Sequence, residues 1–201
     1  MKATAITPAS DGPLTPEHHR ELALAGERAK RIRRAAGVAG FNGWVTGVLA
    51  ALSVPFGLFS VAGFLVTLGL TAIAYNEFRG RKRLLEFDPA APALLGWNQV
   101  GLLALIVVYC LWMLHGELTG ADALSAQIGA TPELAGALGP LQIEALCKGL
   151  VFAVYGSVIV LSAIFQGLNA WYYFTRRKHV EAYLRETPKW VVDLQRTTTP
   201  A

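Results

Sequence analysis

The stretch NEFRGRKRLLEFDP, residues 76–89, contains seven charged side chains and separates two long segments that contain none. Residues 57–75 before it and residues 90–114 after it are mostly aliphatic, glycine and aromatic residues. Because about 20 consecutive apolar residues cross a bilayer as a helix, each segment is close to the length of one membrane span. The charged stretch therefore predicts a turn outside the membrane between two spanning helices.

The composition of the whole chain favours the same class of protein. Of the 201 residues, 53% are hydrophobic and only 16% are charged, whereas soluble domains have about 25% charged residues. The apolar residues also come in long blocks instead of alternating with polar ones. We predict an all-α fold: a polytopic membrane protein, built as a bundle of four transmembrane helices with cytoplasmic N- and C-terminal helical extensions.

The boundaries follow from the positions where Pro, Gly and charged residues interrupt the apolar blocks. We predict a disordered N-terminal tail at residues 1–14 and a cytoplasmic helix at residues 15–36. A four-span membrane domain follows at residues 37–174, and a cytoplasmic C-terminal helix and tail at residues 175–201. The spans are predicted at about 37–54, 57–77, 94–114 and 149–172, with an outer loop at 115–147.

Local signals refine the ends of these helices. Thr15 before Pro16 predicts a capped helix start, and Pro55 with Gly57 predicts a tight hairpin after the first span. No helix-breaking residue follows the fourth span before Pro188, so its helix is expected to continue past the membrane. The N-terminal helix has a narrow, mostly alanine face, which favours a surface or docking helix over a buried one; this face consists of Leu22, Ala25, Ala29 and Ile32.

The distribution of positive charge predicts the orientation. Seventeen of the eighteen Lys and Arg residues lie before the first span, in the loop after the second, or after the fourth, and Lys148 is the exception. We predict a multi-pass protein of the cell membrane. Since cytoplasmic loops carry an excess of Lys and Arg, both of its termini are expected in the cytoplasm. Aromatic residues form the expected belt near the inner interface; they are Phe41, Trp44, Tyr75, Trp97, Trp171, Tyr172 and Tyr173.

The chain lacks the residue patterns of the common membrane enzymes and cofactor proteins. Cys110 and Cys147 are single and distant in sequence, so we interpret them as two buried hydrophobic residues, with a disulfide between them as the alternative. The middle of every predicted span is free of ionisable residues, and no paired histidines face a membrane interior. No catalytic residue, metal site or cofactor is therefore predicted, and no nucleic-acid partner is expected.

Two groups of polar residues near the inner interface are the candidate binding sites. A cluster of amides and one acid lies within about two turns of the cytoplasmic ends of the spans; its members are Asn42, Asn76, Glu77, Asn98, Gln99, Gln166 and Asn169. Interhelical hydrogen bonding explains such a cluster, and a polar pocket for a lipid headgroup or small solute is the alternative. The candidate headgroup contacts are Arg79, Arg81, Lys82, Arg83, Arg176, Arg177 and Lys178.

A further pattern concerns helix contacts. Small residues recur at seven-residue spacing in the fourth span and predict a face on which another helix packs closely; they are Gly149, Gly156, Ala163 and Ala170.

These features favour a non-enzymatic structural, interaction or lipid-organising membrane protein with a basic cytoplasmic face. Anionic lipids are the expected partners, together with a protein partner or a second copy of the chain. A small oligomeric permease or channel is the first alternative, and a lipid-modifying enzyme that uses Glu77 is the second.

Overall fold

The part of the chain that the structure describes forms five helices. The computed structural model describes residues 14–119 and 140–198, which form α1 (Pro16–Phe59), α2 (Val61–Leu85), α3 (Ala91–Thr119), α4 (Pro140–Glu186) and α5 (Lys189–Thr198). The helices α1 to α4 are each long and apolar enough to cross a membrane. The predicted all-α architecture is confirmed for these residues, whereas residues 1–13 and most of the predicted outer loop lie outside the described part.

The first helix is longer than the sequence suggested. Thr15 caps α1 as predicted, and its hydroxyl accepts a hydrogen bond from the backbone N–H of His18. From there α1 runs unbroken for 44 residues, so the predicted N-terminal helix and first span are one element. The alanine-rich segment between them contains no breaker, which explains the continuity.

The predicted hairpin at Pro55 and Gly57 is also displaced. Pro55 lies inside α1, and the chain reverses at Ser60, whose hydroxyl accepts from the N–H of Gly63 to cap α2. Hydroxyl groups bond the carbonyls around the proline, with Ser53 Oγ 2.7 Å from Leu49 O and Thr67 Oγ1 3.0 Å from Ser53 O. These bonds brace the helix on either side of the proline, and the bond from Thr67 holds this part of α1 against α2.

The helices pack as two antiparallel pairs. The first helix lies along α2 and α3 lies along α4, while α2 and α3 join the pairs. Glycines let α1 approach α2 closely: a Cβ at Gly40 would lie 3.1 Å from Arg81 Cδ, and one at Gly43 would lie 3.2 Å from Glu77 Cβ. The two pairs also meet through contacts between α1 and α4. These contacts lie at the end of the bundle that contains the charged turn between α2 and α3, residues 76–89, and we call it the charged end.

The charged end contains the best-packed part of the molecule, which we call the terminal domain. It combines the first half of α1, the last part of α4, α5 and the turn between α2 and α3. The alanine face of α1 is buried here, with Ala25 1%, Ala29 0% and Ala35 0% exposed. The expectation of a surface helix is therefore wrong, and α1 docks through this face onto other helices of the same chain. Because alanine is small, α1 can lie close to its neighbours and bury this face within the chain itself.

The turn between α2 and α3 is fixed to the terminal domain by an aromatic contact. Phe87 adopts a left-handed backbone conformation with φ 57°, which is unfavourable for a bulky side chain. Its ring is 1% exposed and stacks on Tyr183 at a centroid distance of 4.4 Å. Arg196 of α5 also donates to the carbonyl of Glu86 at 2.9 Å. Burial and these contacts offset the unfavourable φ and hold the turn against α4 and α5.

The remaining predicted contacts have mixed outcomes. An added Cβ at Gly149 or Gly156 would meet nothing within 4 Å, so this part of the small-residue stripe does not pack against any described helix. Cys110 and Cys147 are both buried and unbonded, as the interpretation of two small hydrophobic residues predicts.

Candidate functional site

A buried acid on α2 is the centre of the polar cluster. Glu77 is 0% exposed, although it is an acid within a largely apolar helix. Its Oε1 accepts hydrogen bonds from Asn98 Nδ2 at 2.9 Å and from Gln99 Nε2 at 2.7 Å. Asn98 Nδ2 also donates to the carbonyl of Ile73 at 3.0 Å. These bonds connect α2 with α3 and use both hydrogens of the Asn98 amide.

Two buried oxygens on the side chains bonded around Glu77 have no donor among the described atoms. They are Glu77 Oε2 and Gln99 Oε1, on side chains already joined by a hydrogen bond. Both residues are at most 1% exposed. A buried acceptor without a donor costs free energy comparable to a lost hydrogen bond, so both oxygens lower the stability of this part of the fold.

Small residues make room for the acid. A Cβ at Gly43 of α1 would lie 3.2 Å from Glu77 Cβ, and one at Gly80 would lie 2.6 Å from Leu95 Cγ. Neither glycine was predicted as part of the site. The signal was present, because Gly80 follows Glu77 by three residues and therefore lies on the same helix face.

The other predicted members of the cluster lie elsewhere. Asn42 of α1 donates to the hydroxyl of Tyr173 on α4 at 3.4 Å. Asn76 is half-buried on α2, Gln166 is half-buried with a buried Oε1 that no described donor reaches, and Asn169 is half-buried on α4. The structure thus joins Glu77, Asn98 and Gln99 directly. It also adds Tyr173, which is 0% exposed and which we had assigned to the aromatic belt.

The predicted headgroup residues divide into two groups. Arg83 pairs with Asp88 at 3.9 Å, and Arg177 pairs with Glu181 at 2.8 Å. Arg176 lies over the ring of Tyr172, 4.1 Å from its centroid. The remaining four positions, together with two on α1 that the sequence analysis did not single out, form a group that we call the boundary ring.

The boundary ring is a set of cations that make no ion pair within the described residues. Its members come from α1, α2 and α4 and lie within roughly 14 Å of the cluster along their helices; they are Arg33, Arg34, Arg79, Arg81, Lys82 and Lys178. All of them are exposed. The ring therefore presents positive charge that the described part of the protein does not neutralise with acids.

Exposed aromatic side chains lie at the level of the cluster. Five of them, at least one on each of α1 to α4, are between 65% and 69% exposed: Phe41, Trp44, Tyr75, Trp97 and Trp171. Trp44 contacts Phe78 and Trp97 contacts Phe174, each with ring centroids 6.0 Å apart. This belt lies beside the boundary ring, which is the arrangement typical of a membrane–water interface.

A histidine contact ties α1 to α4 in the terminal domain. His179 Nδ1 is 3.2 Å from the carbonyl of Thr175, which can only accept, so Nδ1 carries the hydrogen. Nε2 is then the acceptor for Arg31 Nη1 at 3.1 Å. Burial, with the nearby charges of Arg176, Arg31 and Lys178, lowers the pKa of His179 below its usual 6.5 against the opposing effect of the Thr175 bond. The neutral imidazole therefore suits this contact.

Comparison of the chain with protein-family models, curated proteins and solved structures gave no match. In the described residues, no group of three His, Cys, Asp or Glu side chains is placed to hold a metal ion.

Proposed function

We propose that the chain is a multi-pass protein of the cell membrane that binds and organises anionic lipid at its cytoplasmic surface. In this proposal α1 to α4 each cross the bilayer, and both termini and the terminal domain lie in the cytoplasm. The positive-inside rule supports this orientation, because the boundary ring and the other basic side chains of the charged end lie on one side.

The observation that carries the proposal is the boundary ring beside the aromatic belt. Six exposed cations have no acidic partner in the described part of the protein, and they lie beside the belt that marks an interface. An anionic leaflet stabilises each nearby Lys or Arg by about 1 kcal/mol. Lipid phosphates are the counter-ions that such an arrangement suits.

Lipid is favoured over a protein partner by the packing of the terminal domain. The apolar faces of α1, α4 and α5 are buried against each other, with Ile32, Val180 and Val191 at most 1% exposed. These faces are therefore occupied within the chain and do not offer the apolar surface that a docking partner usually needs. The alternative of a lipid-modifying enzyme that uses Glu77 is disfavoured by the complete burial of this residue, because a substrate has no access to its carboxyl group.

The proposal predicts a preference for anionic lipid that depends on the ring. With the protein reconstituted in mixed bilayers, electron paramagnetic resonance of spin-labelled lipids measures the association of phosphatidylglycerol relative to phosphatidylcholine. Wild-type protein should prefer phosphatidylglycerol, and the preference should fall as salt is raised. Replacing Arg79, Arg81 and Lys82 by glutamine should lower the preference several-fold.

The matched control removes three cations that are paired with acids. Lys30, Arg177 and Arg196 have carboxylate partners at 2.7, 2.8 and 3.8 Å. Their replacement by glutamine lowers the net charge by the same amount and should leave most of the preference intact. An equal loss in both triple variants, or no preference in the wild type, would contradict the proposal.

A further inference from the structure

A groove of about 680 Å³ runs between α2 and α3. Small residues from both helices give it depth: Gly69 and Ala72 on α2, and Gly101 and Ala104 on α3. An added Cβ at Gly101 would meet nothing within 4 Å, so the groove is open at this position.

The length of the groove suits a lipid chain. It extends along α3 from Leu94 to Val108, which at 1.5 Å per residue is roughly 21 Å. One leaflet contributes half of a hydrocarbon core of about 30 Å. The groove is therefore longer than one leaflet is thick, so an acyl chain that crosses one leaflet fits inside it from end to end.

The groove is polar at one end only. Asn76 and Asn98 line it near the charged end, next to the exposed ring of Trp97. Because Glu77 Oε1 and Ile73 O accept both hydrogens of Asn98 Nδ2, the carbonyl oxygen of Asn98 is the atom left for another partner. Glu77 thus positions one polar group in the groove, and Asn76 supplies an amide of its own.

A cation follows the amides. Arg79 lies three residues beyond Asn76 and so on the same face of α2; it is exposed and makes no ion pair with a described residue. From Arg79 through Asn76 to Gly69 the order is cation, amide, apolar surface. A glycerophospholipid has phosphate, ester groups and acyl chain in the same order.

We propose that this groove binds one anionic glycerophospholipid of the cytoplasmic leaflet, with an acyl chain between α2 and α3, ester groups at Asn76 and phosphate at Arg79. This site rests on the proposed function and gives it a defined position. Grooves lined by Gly and Ala also accept helices. A helix of a second copy, however, would have to cover Trp97 and the amides, whereas a lipid has a group for each of these side chains.

The test compares two glycines that face open space. Gly101 lies in the groove and Gly167 lies on the exposed surface of α4, and a Cβ at either meets nothing within 4 Å. Gly101→Leu fills the groove, while Gly167→Leu adds the same side chain outside it. Native mass spectrometry of purified protein with added palmitoyl-oleoyl phosphatidylglycerol then counts the lipids retained per chain.

The expected result is one tightly held lipid fewer in Gly101→Leu than in the wild type or Gly167→Leu. Ala104→Leu should show the same loss and replaces Gly101→Leu if that variant does not fold. Arg79→Gln should retain the lipid but lose the preference for phosphatidylglycerol over phosphatidylcholine. Equal lipid counts in the groove variants and in Gly167→Leu would overturn the site. A change from dimer to monomer in Gly101→Leu would also overturn it, because the groove would then bind a second copy of the chain.

The two proposals fail in different ways. If Gly101→Leu keeps all its lipid while the wild type still prefers phosphatidylglycerol in the spin-label assay, only the groove is wrong. If the wild type shows no preference for anionic lipid in either assay, the proposed function is wrong and the groove with it.

Discussion

Replacing Glu77 by glutamine should be harmless, whereas replacing it by alanine should be severe. Glutamine keeps an oxygen at the position of Oε1, which accepts from Asn98 and Gln99. It also replaces Oε2, an acceptor that no described donor reaches, by an amide group. Alanine removes the acceptor and leaves two buried N–H groups without a partner.

The expected magnitudes follow from these bonds. Each buried donor left without an acceptor costs about 1–3 kcal/mol, so Glu77→Ala should destabilise the fold by roughly 2–6 kcal/mol. One kcal/mol changes the melting temperature by roughly 2–4 °C in a chain of this length, so the loss is on the order of 10 °C. Glu77→Gln keeps both accepted hydrogen bonds and removes the unpaired acceptor Oε2, which leaves the melting temperature equal to or slightly above that of the wild type.

Thermal unfolding in a mild detergent, followed by circular dichroism, measures the difference. Glu86→Ala is the control, because Glu86 is an exposed acid at the end of the same helix and its loss should change stability by at most about 0.5 kcal/mol. A carboxylate that carries its charge in the folded protein would make stronger bonds to both amides. Glu77→Gln would then be destabilised nearly as much as Glu77→Ala, and that result would refute the reasoning.

Two other predictions concern the packing of the charged end. Gly80→Ala should cost about 1–3 kcal/mol because its Cβ would lie within 2.6 Å of the buried Leu95, whereas Gly37→Ala should be neutral or stabilising because a Cβ there meets nothing within 4 Å; melting temperatures of both variants in detergent test this. Because the pKa of His179 is lowered in the folded protein, the unfolded chain binds more protons below its usual value of about 6.5, so the contribution of His179 is complete above that pH and is lost as the pH falls. The melting temperature should therefore decline less between pH 7 and about 5 in His179→Gln than in the wild type, and an equal decline would contradict the assignment of a neutral imidazole.

The sequence predicted the elements that depend on hydropathy and local chemistry. Long uncharged segments indicated four helices, and the Thr15 cap and the continuation of α4 to Glu186 follow from single residue signals. The sequence did not predict how α1 behaves. Propensity alone favours ending a helix at Pro55, but α1 continues to Phe59, with Thr67 of α2 bonded to the carbonyl of Ser53.

The sequence predicted that the residues of the candidate site lie at a similar depth in the membrane, but not which of them hydrogen-bond to each other. The position of Glu77, Asn98 and Gln99 near the same ends of α2 and α3 could be read from the span boundaries. Their bonds depend on the rotation of each helix about its axis, which close contacts at Gly43 and Gly80 help to fix. The small-residue stripe of α4 was misread at Gly149 and Gly156, which face open space, whereas its last member Ala170 is buried; small residues allow a close contact without requiring one.

A measurement of the orientation of the chain in the membrane tests the proposed lipid-binding function most directly. Reporter fusions to green fluorescent protein and alkaline phosphatase, made after Arg83, after Arg177 and near Ala130, determine which segments lie on each side of the membrane. The account predicts fluorescence after Arg83 and Arg177, next to the boundary ring, and phosphatase activity near Ala130. Phosphatase activity after Arg83 and Arg177 with fluorescence near Ala130 would put the ring outside the cell and contradict both proposals.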